Sequence, residues 1–270
     1  MLDLKQVYKY IFVVIFLMLP SMSFSMRVVS TAPGITETLF ALGAINDVIA
    51  VSQYCSYPPQ VKVLPKVGGY YDINHEMLLR LHPDIVFLMD GNEELERFLK
   101  KHKIKYSVFK SQSLNDVFKM IIGIGKQVNH GDKAKQIVND IKVKMEETRK
   151  IFVKHKEQSV LLVIDQEVHQ GSVEAVYAVG KDKYFDPMLE LFNYMNVVNT
   201  KIPYPRITKE ILYGLKPDKI IVMGDGKDEH YAWLSRQDYK TKVIFITDDV
   251  VKHPGPRILE TLDLFQKIFQ

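Results

Sequence analysis

Glu76–Asp84 reads EMLLRLHPD, and Glu210–Asp218 reads EILYGLKPD. Both fit one pattern, Glu-x-Leu-x-x-Leu-x-Pro-Asp, and each is followed by an apolar run (Ile85–Met89 and Ile220–Met223). Proline disfavours helical geometry in the residue before it, so each segment spells a short helix that stops and hands over to a strand. Asn74 and Thr208, two residues ahead of the glutamates, read as helix N-caps. His82 and Lys216 hold equivalent places in the repeat and read as solvated surface residues. A helix–stop–strand unit written twice in one chain implies two lobes built on one plan.

The surrounding sequence supports that plan. In the first half, strand-like runs (Arg27–Ser30, Asp47–Ser52, Ile85–Met89, Tyr106–Lys110) alternate with amphipathic helices at Gly34–Gly43, Asn74–Leu81 and near Glu93–His102. The rhythm restarts at Ser159–Asp165, with helices near Asp186–Asn193 and from Thr208, strands at Lys219–Met223 and Lys242–Thr247, and a closing helix from Pro256. Strands alternating with helices of this length predict α/β lobes with mostly parallel central sheets. Between the halves, Asp132–Lys156 contains neither Pro nor Gly, and Ala134, Ile137, Ile141, Met145 and Phe152 fall near helical spacing. This predicts one long, largely solvated helix, about 35 Å at 1.5 Å per residue, acting as a strut. The expected division is residues 1–25 as a signal segment, 26–130 as the N-terminal lobe, 131–157 as the linking helix and 158–270 as the C-terminal lobe.

Composition narrows the function classes. Of 270 residues, 47% are apolar and 25% charged, with a formal net charge of +4, an ordinary globular balance. No basic block tracks a phosphate backbone, so nucleic acid is not an expected partner. Lys5 and Lys9 precede an apolar run from Tyr10 to Leu19, and Ser23-Phe24-Ser25 closes the segment. That is the layout of a secretory signal, and ten residues rise only about 15 Å, half a bilayer core. The mature chain is expected to start near Met26 and to occupy a periplasm-like space. Without a Cys at that boundary, lipid attachment there is not expected. Cys55 is the only cysteine, so no internal disulfide is available, and it reads as a small buried hydrophobe.

Five stretches in order carry a family resemblance: RVVSTAPGITETLFALG from Arg27, SYPPQV from Ser56, the two repeated segments, YAVGKDKYFDPMLEL from Tyr177, and HPGPRILETL from His253. With the long helix, they make the mature chain resemble the substrate-binding proteins of ABC importers for cobalamin, ferric siderophores and haem. The resemblance implies two α/β lobes bridged by a rigid helix, with the ligand in the cleft between them. It implies a monomer without an intrinsic cofactor, binding a cobalt- or iron-containing chelate and docking through both lobes onto a membrane permease. Glu76 and Glu210 match the family's docking glutamates. A carboxylate near a helix N-terminus also suits the helix dipole without any partner.

Ligands of open α/β sheets lie beyond the carboxyl ends of the strands. The loops expected there carry Tyr54, Tyr57, Tyr70, Tyr71, Tyr204, Arg206, His253 and Arg257, with Ser30, Thr31 and Pro33 after the first strand. Aromatic faces suit a large, flat or amphipathic ligand, and arginines can bond oxygens at its rim. By resemblance, Tyr54, Tyr70 or Tyr71, Tyr204 and Arg257 match ligand-contacting positions of cobalamin-binding relatives. Tyr204 stands where a Trp is usual, and Arg206 adds a charge that favours an anionic iron chelate. Arg257 also has a local partner within reach in Glu260. The eight histidines are scattered without zinc-motif spacing, so direct zinc binding is not expected. His169, His253 or a cleft Tyr would be available to haem iron. GIGKQV (Gly123–Val128) lacks a dinucleotide fingerprint, QGSVE around Ser172 lacks a nucleophile elbow, and no HExxH occurs, so a binding protein is expected rather than an exported enzyme.

Overall fold

The computed structural model of the chain describes residues 26–169, 172–224 and 242–270. The expected signal segment, His230 and Trp233 lie outside the described residues, as does the His169 side chain. In the first half, β1 (Val28–Ser30), β2 (Val48–Val51), β3 (Ile85–Met89) and β4 (Tyr106–Phe109) form an all-parallel sheet in the order β2-β1-β3-β4. Parallel strands need crossovers, and α1 (Pro33–Leu42), α2 (His75–Leu81) and α3 (Glu93–Lys101) lie between successive strands of this half. Two further helices follow, α4 (Leu114–Gln127) and the long α5 (Gly131–Phe152).

The second half holds a six-stranded sheet built from β5 (Gln158–His169), β6 (Ser172–Ala178), β7 (Tyr194–Asn196), β8 (Arg206–Thr208), β9 (Lys219–Met223) and β10 (Lys242–Ile246). Its order is β10-β9-β5-β6-β8, with β7 also pairing β5. The β10-β9, β9-β5 and β5-β7 pairs are parallel, whereas β6 runs antiparallel to both β5 and β8. Helices α6 (Phe185–Leu191), α7 (Lys209–Leu215) and α8 (Ile258–Phe269) complete it. The antiparallel edge formed by β6 and β8 is an addition to the expected parallel plan, and it places Arg206 on a strand instead of a loop.

The repeated segments occupy equivalent positions. Asn74 Oδ1 accepts from the Met77 amide at 2.9 Å, and Thr208 Oγ1 accepts from the Ile211 amide at 3.5 Å, so both expected N-caps form. His82 and Lys216 both end their helices in the left-handed region, at φ 43° and 44°. Leu78 and Leu212 are fully buried. The two aspartates share a further task. The Arg27 amide donates to Asp84 Oδ2 at 2.8 Å and the Ser159 amide donates to Asp218 Oδ2 at 2.7 Å. Each therefore pins the start of the strand beside its own, β1 next to β3 and β5 next to β9.

Strand residues alternate between two apolar clusters, as a period of two requires. Val29, Val86 and Leu88 face one outer cluster, while Leu161, Val163, Ile220 and Val222 face the other. Their neighbours Val28, Phe87, Val160, Leu162 and Ile221 all join one central cluster that also contains Ile121 of α4, Ile141 and Phe152 of α5, and Phe265 of α8. The long helix thus buries its apolar stripe in a core continuous between the two sheets.

Candidate functional site

A cavity of about 700 Å³ lies between the halves. Ser111 and Gln112, just past β4, form its N-terminal side. The opposite side comes from Lys181, Asp182, Tyr184, Lys201, Tyr204 and Lys252, over an apolar floor that includes Ile164, Phe185, Met223 and Val251. This is the space beyond the carboxyl ends of β4, β9 and β10, where an open α/β sheet presents a ligand. A second hollow of about 380 Å³ beside β7 shares only Lys181 with it and is lined by the second half alone.

Of the residues expected from sequence, Tyr204 lines this cavity and is 58% exposed. Burial of part of its ring, with Asp182 nearby, raises the Tyr204 hydroxyl pKa and keeps it a donor. Tyr54 and Tyr71, 57% and 74% exposed, sit on the loop after β2 without lining the cavity. Tyr71 packs edge-on against Tyr70 with ring centres 4.7 Å apart. Tyr70 is anchored: its hydroxyl donates to the Asp90 carbonyl, and its own carbonyl accepts from Asn92 at 2.6 Å. The Asp90 carboxylate in turn accepts from Gln112 at 3.4 Å, which links the tyrosine pair to the cavity wall.

Tyr57, His253 and Arg257 gather elsewhere, in a knot that ties the halves together. The Arg257 guanidinium lies 4.2 Å from the centre of the Tyr57 ring. It also pairs with Glu37 at 3.4 Å, Asp249 at 3.2 Å and Glu260 at 3.0 Å. Burial opposes its charge, but the Glu260 hydrogen bond and the Glu37 carboxylate more than compensate and raise its pKa. Glu37, on α1, is 1% exposed, and His253 Nδ1 stands 3.7 Å from its Oε1. Ser56 adds a hydrogen bond to Asp249 at 3.2 Å. The approach is close enough to need glycine, since a Cβ on Gly34 would sit 2.2 Å from the Pro254 carbonyl oxygen.

Arg206 is held by Glu167 at 2.5 Å and Glu174 at 4.0 Å across the antiparallel edge, away from the cavity lining. Ser30 and Thr31 are buried, with Ser30 Oγ bonded to Thr36 Oγ1 at 2.8 Å, and Pro33 begins α1. Cys55 is also buried, and desolvation raises its thiol pKa despite contacts with Ser52 and Thr36. Among the described residues, no group of three or more His, Cys, Asp or Glu is placed to hold a metal ion.

Sequence reading passed over Gln112, Lys181, Tyr184, Lys201 and Lys252. Lys181 and Tyr184 lie within the quoted YAVGKDKYFDPMLEL stretch without standing out in it, and Gln112, Lys201 and Lys252 carried no signal beyond lying between elements. Glu76 and Glu210 are exposed on α2 and α7. Glu76 pairs with Arg80 at 2.6 Å, while hydrogen bonds from the Thr208 hydroxyl and its own amide hold the Glu210 carboxyl below the usual range.

A family model described as periplasmic binding protein matches residues 28–249. An uncharacterized ABC transporter substrate-binding lipoprotein, YvrC of Bacillus subtilis, is 28% identical over 250 residues, covering 88% of this chain and 77% of its own. A vitamin B12-binding protein of Pectobacterium atrosepticum is 25% identical over 238 residues, covering 86% and 84%. Among solved structures, the periplasmic haem-binding protein HutB of Vibrio cholerae superposes with a TM-score of 0.76 at 21% identity, covering 90% of this chain and 98% of its own. Among the described residues no helix is long and apolar enough to cross a membrane.

Proposed function

The chain belongs to the periplasmic binding protein family, and on that premise we propose that it captures a metal chelate in its interlobe cleft and delivers it to an ABC-type importer. A corrinoid such as cobalamin leads, with a ferric siderophore next. The observation that carries this reading is the cavity of about 700 Å³ between the lobes. Its volume falls in the range of sites for organic ligands, about 300–1,000 Å³, and far exceeds what a bare ion needs.

The B12-binding relative supports a corrinoid. The likeness to a haem-binding structure supports the fold, and haem is the alternative after these two. Tyr204 at the cavity, with the exposed Tyr54 and Tyr71 on the loop after β2, supplies aromatic surface for a planar or amphipathic ligand. Tyr70 holds Tyr71 in place, while Tyr57, His253 and Arg257 fix the lobes beside the site. Binding and release suffice for this role, so no catalytic residue is assigned. Residues 1–25 export the chain, and Glu76 and Glu210 meet the permease, one from each lobe.

Calorimetric titration of the purified mature protein with cobalamin, cobinamide, haem and several ferric siderophores tests the reading. Saturable binding of one of them with one site per chain is expected. Binding of none sinks it.

A further inference from the structure

Resting on the chelate reading, and turning its choice from a neutral corrinoid toward an anionic iron chelate, we infer that the cleft selects an anionic, oxygen-rich ligand, and that Lys181, Lys201 and Lys252 are its specificity-determining residues. All three line the cavity, and among the described residues none of them forms a salt bridge. The one carboxylate in the described lining, Asp182, is turned to another task. Its Oδ1 accepts from the amides of Tyr184, Phe185 and Asp186 at 2.9, 2.6 and 3.2 Å, capping the start of α6. Three exposed lysines therefore share the described lining with a single carboxylate, whose Oδ1 is committed to the helix start.

The loops that bear two of these lysines are built to stay together. Gly180 donates to the Pro203 carbonyl at 2.9 Å, and the Lys181 amide donates to Thr200 at 2.7 Å. A Cβ on Gly180 would sit 2.0 Å from the Ile202 carbonyl oxygen, so only glycine permits this lacing. Three lysines against one carboxylate leave the described lining with an excess of positive charge, which an anionic ligand complements. Tyr204, which is largely exposed, adds a phenol to the same wall, and Gln112 adds a side-chain amide from the other lobe. Ammonium, phenol and amide N–H groups together offer a donor-rich wall matched to carboxylate, phosphate or hydroxamate oxygens.

Calorimetry with full mature protein and three probes decides the matter: ferric citrate (anionic), a ferric trihydroxamate without net charge, and cyanocobalamin without net charge. Ferric citrate is expected to bind tightest, with affinity falling as salt rises. The triple variant Lys181→Gln, Lys201→Gln, Lys252→Gln is expected to lose about tenfold or more of that affinity, with neutral-probe affinity unchanged. The corresponding Lys→Arg triple variant should retain most of it. Neutral probes binding as tightly as ferric citrate, or a glutamine variant that keeps full anion affinity, overturns the selectivity while leaving the chelate reading intact. Failure of every probe, together with haem and cobinamide, removes the chelate reading and this inference with it.

Discussion

The guanidinium of Arg257 stacks 4.2 Å from the centre of the Tyr57 ring, joining the C-terminal helix to the loop after β2. Its side chain is only 11% exposed and is surrounded by the carboxylates of Glu37, Asp248, Asp249 and Glu260. Arg257 is thereby engaged with its own protein on both its face and its edge. Replacing it with alanine leaves Glu37 buried without its arginine partner. Breaking a buried pair from one side costs about 3–5 kcal/mol. Arg257→Ala is expected to lower the urea midpoint accordingly, while ligand affinity changes little. A large loss of affinity at unchanged stability would assign Arg257 to the ligand instead.

The central apolar cluster runs unbroken from Val28 and Phe87 in one sheet, through Ile141 and Phe152 of the long helix, to Val160 and Ile221 in the other. Packed cores resist continuous deformation, and a wide hinge opening would have to expose part of this one. Small-angle scattering with and without a saturating chelate is expected to show only a slight change in radius of gyration. A large change would mean that the knot and the core part on ligand release.

Asp218 contributes a pH dependence whose sign follows from its partners. Hydrogen bonds from the Ser159 amide and hydroxyl, at 2.7 and 2.8 Å, hold its carboxyl below the ordinary range. An unfolded aspartate titrates near ~3.9, so this stabilisation is complete above that value and is lost as pH falls through the lower folded value. Asp218→Asn should therefore be less stable than the parent at pH 7, and the gap should close at an acidic pH below the folded value. Urea midpoints measured at both pH values check this. An unchanged gap at low pH would refute the assignment.

The repeated segment shows what a sequence discloses and what it conceals. Leucine spacing, the N-caps and the proline stop follow local rules, so the helix, its end and the next strand were readable residue by residue. The aspartate's bond to a neighbouring strand was not, because Arg27 and Ser159 lie 57 and 59 positions away from Asp84 and Asp218. The same limit explains the site. Tyr57 and Arg257 were both singled out for the cleft by their loops, yet tertiary packing joined them to each other. Lys181, Lys201 and Lys252 drew no notice because their meaning depends on three loops meeting around one cavity with a single carboxylate in its described lining.

Glu76 and Glu210 serve the fold only through local contacts at their own helix starts. Each lies in the first turn of a capped helix, α2 on one lobe and α7 on the other, and both side chains are exposed. The i, i+4 pair of Glu76 with Arg80 is solvent-exposed, and such pairs contribute about 0.3–0.5 kcal/mol, while Glu210 bonds only Thr208 and its own amide at the helix start. Each also has an exposed apolar residue one turn on, Leu79 or Tyr213, on the same helix face. A carboxylate beside an apolar side chain, presented once per lobe, suits a basic and partly apolar docking surface. Glu76→Arg combined with Glu210→Arg is expected to abolish uptake in cells while leaving the melting temperature within a few degrees and chelate affinity unchanged. Each single reversal should reduce uptake partially, because a two-point dock loses effective concentration when either point fails. Transport that survives the double reversal would show that the permease grips another surface.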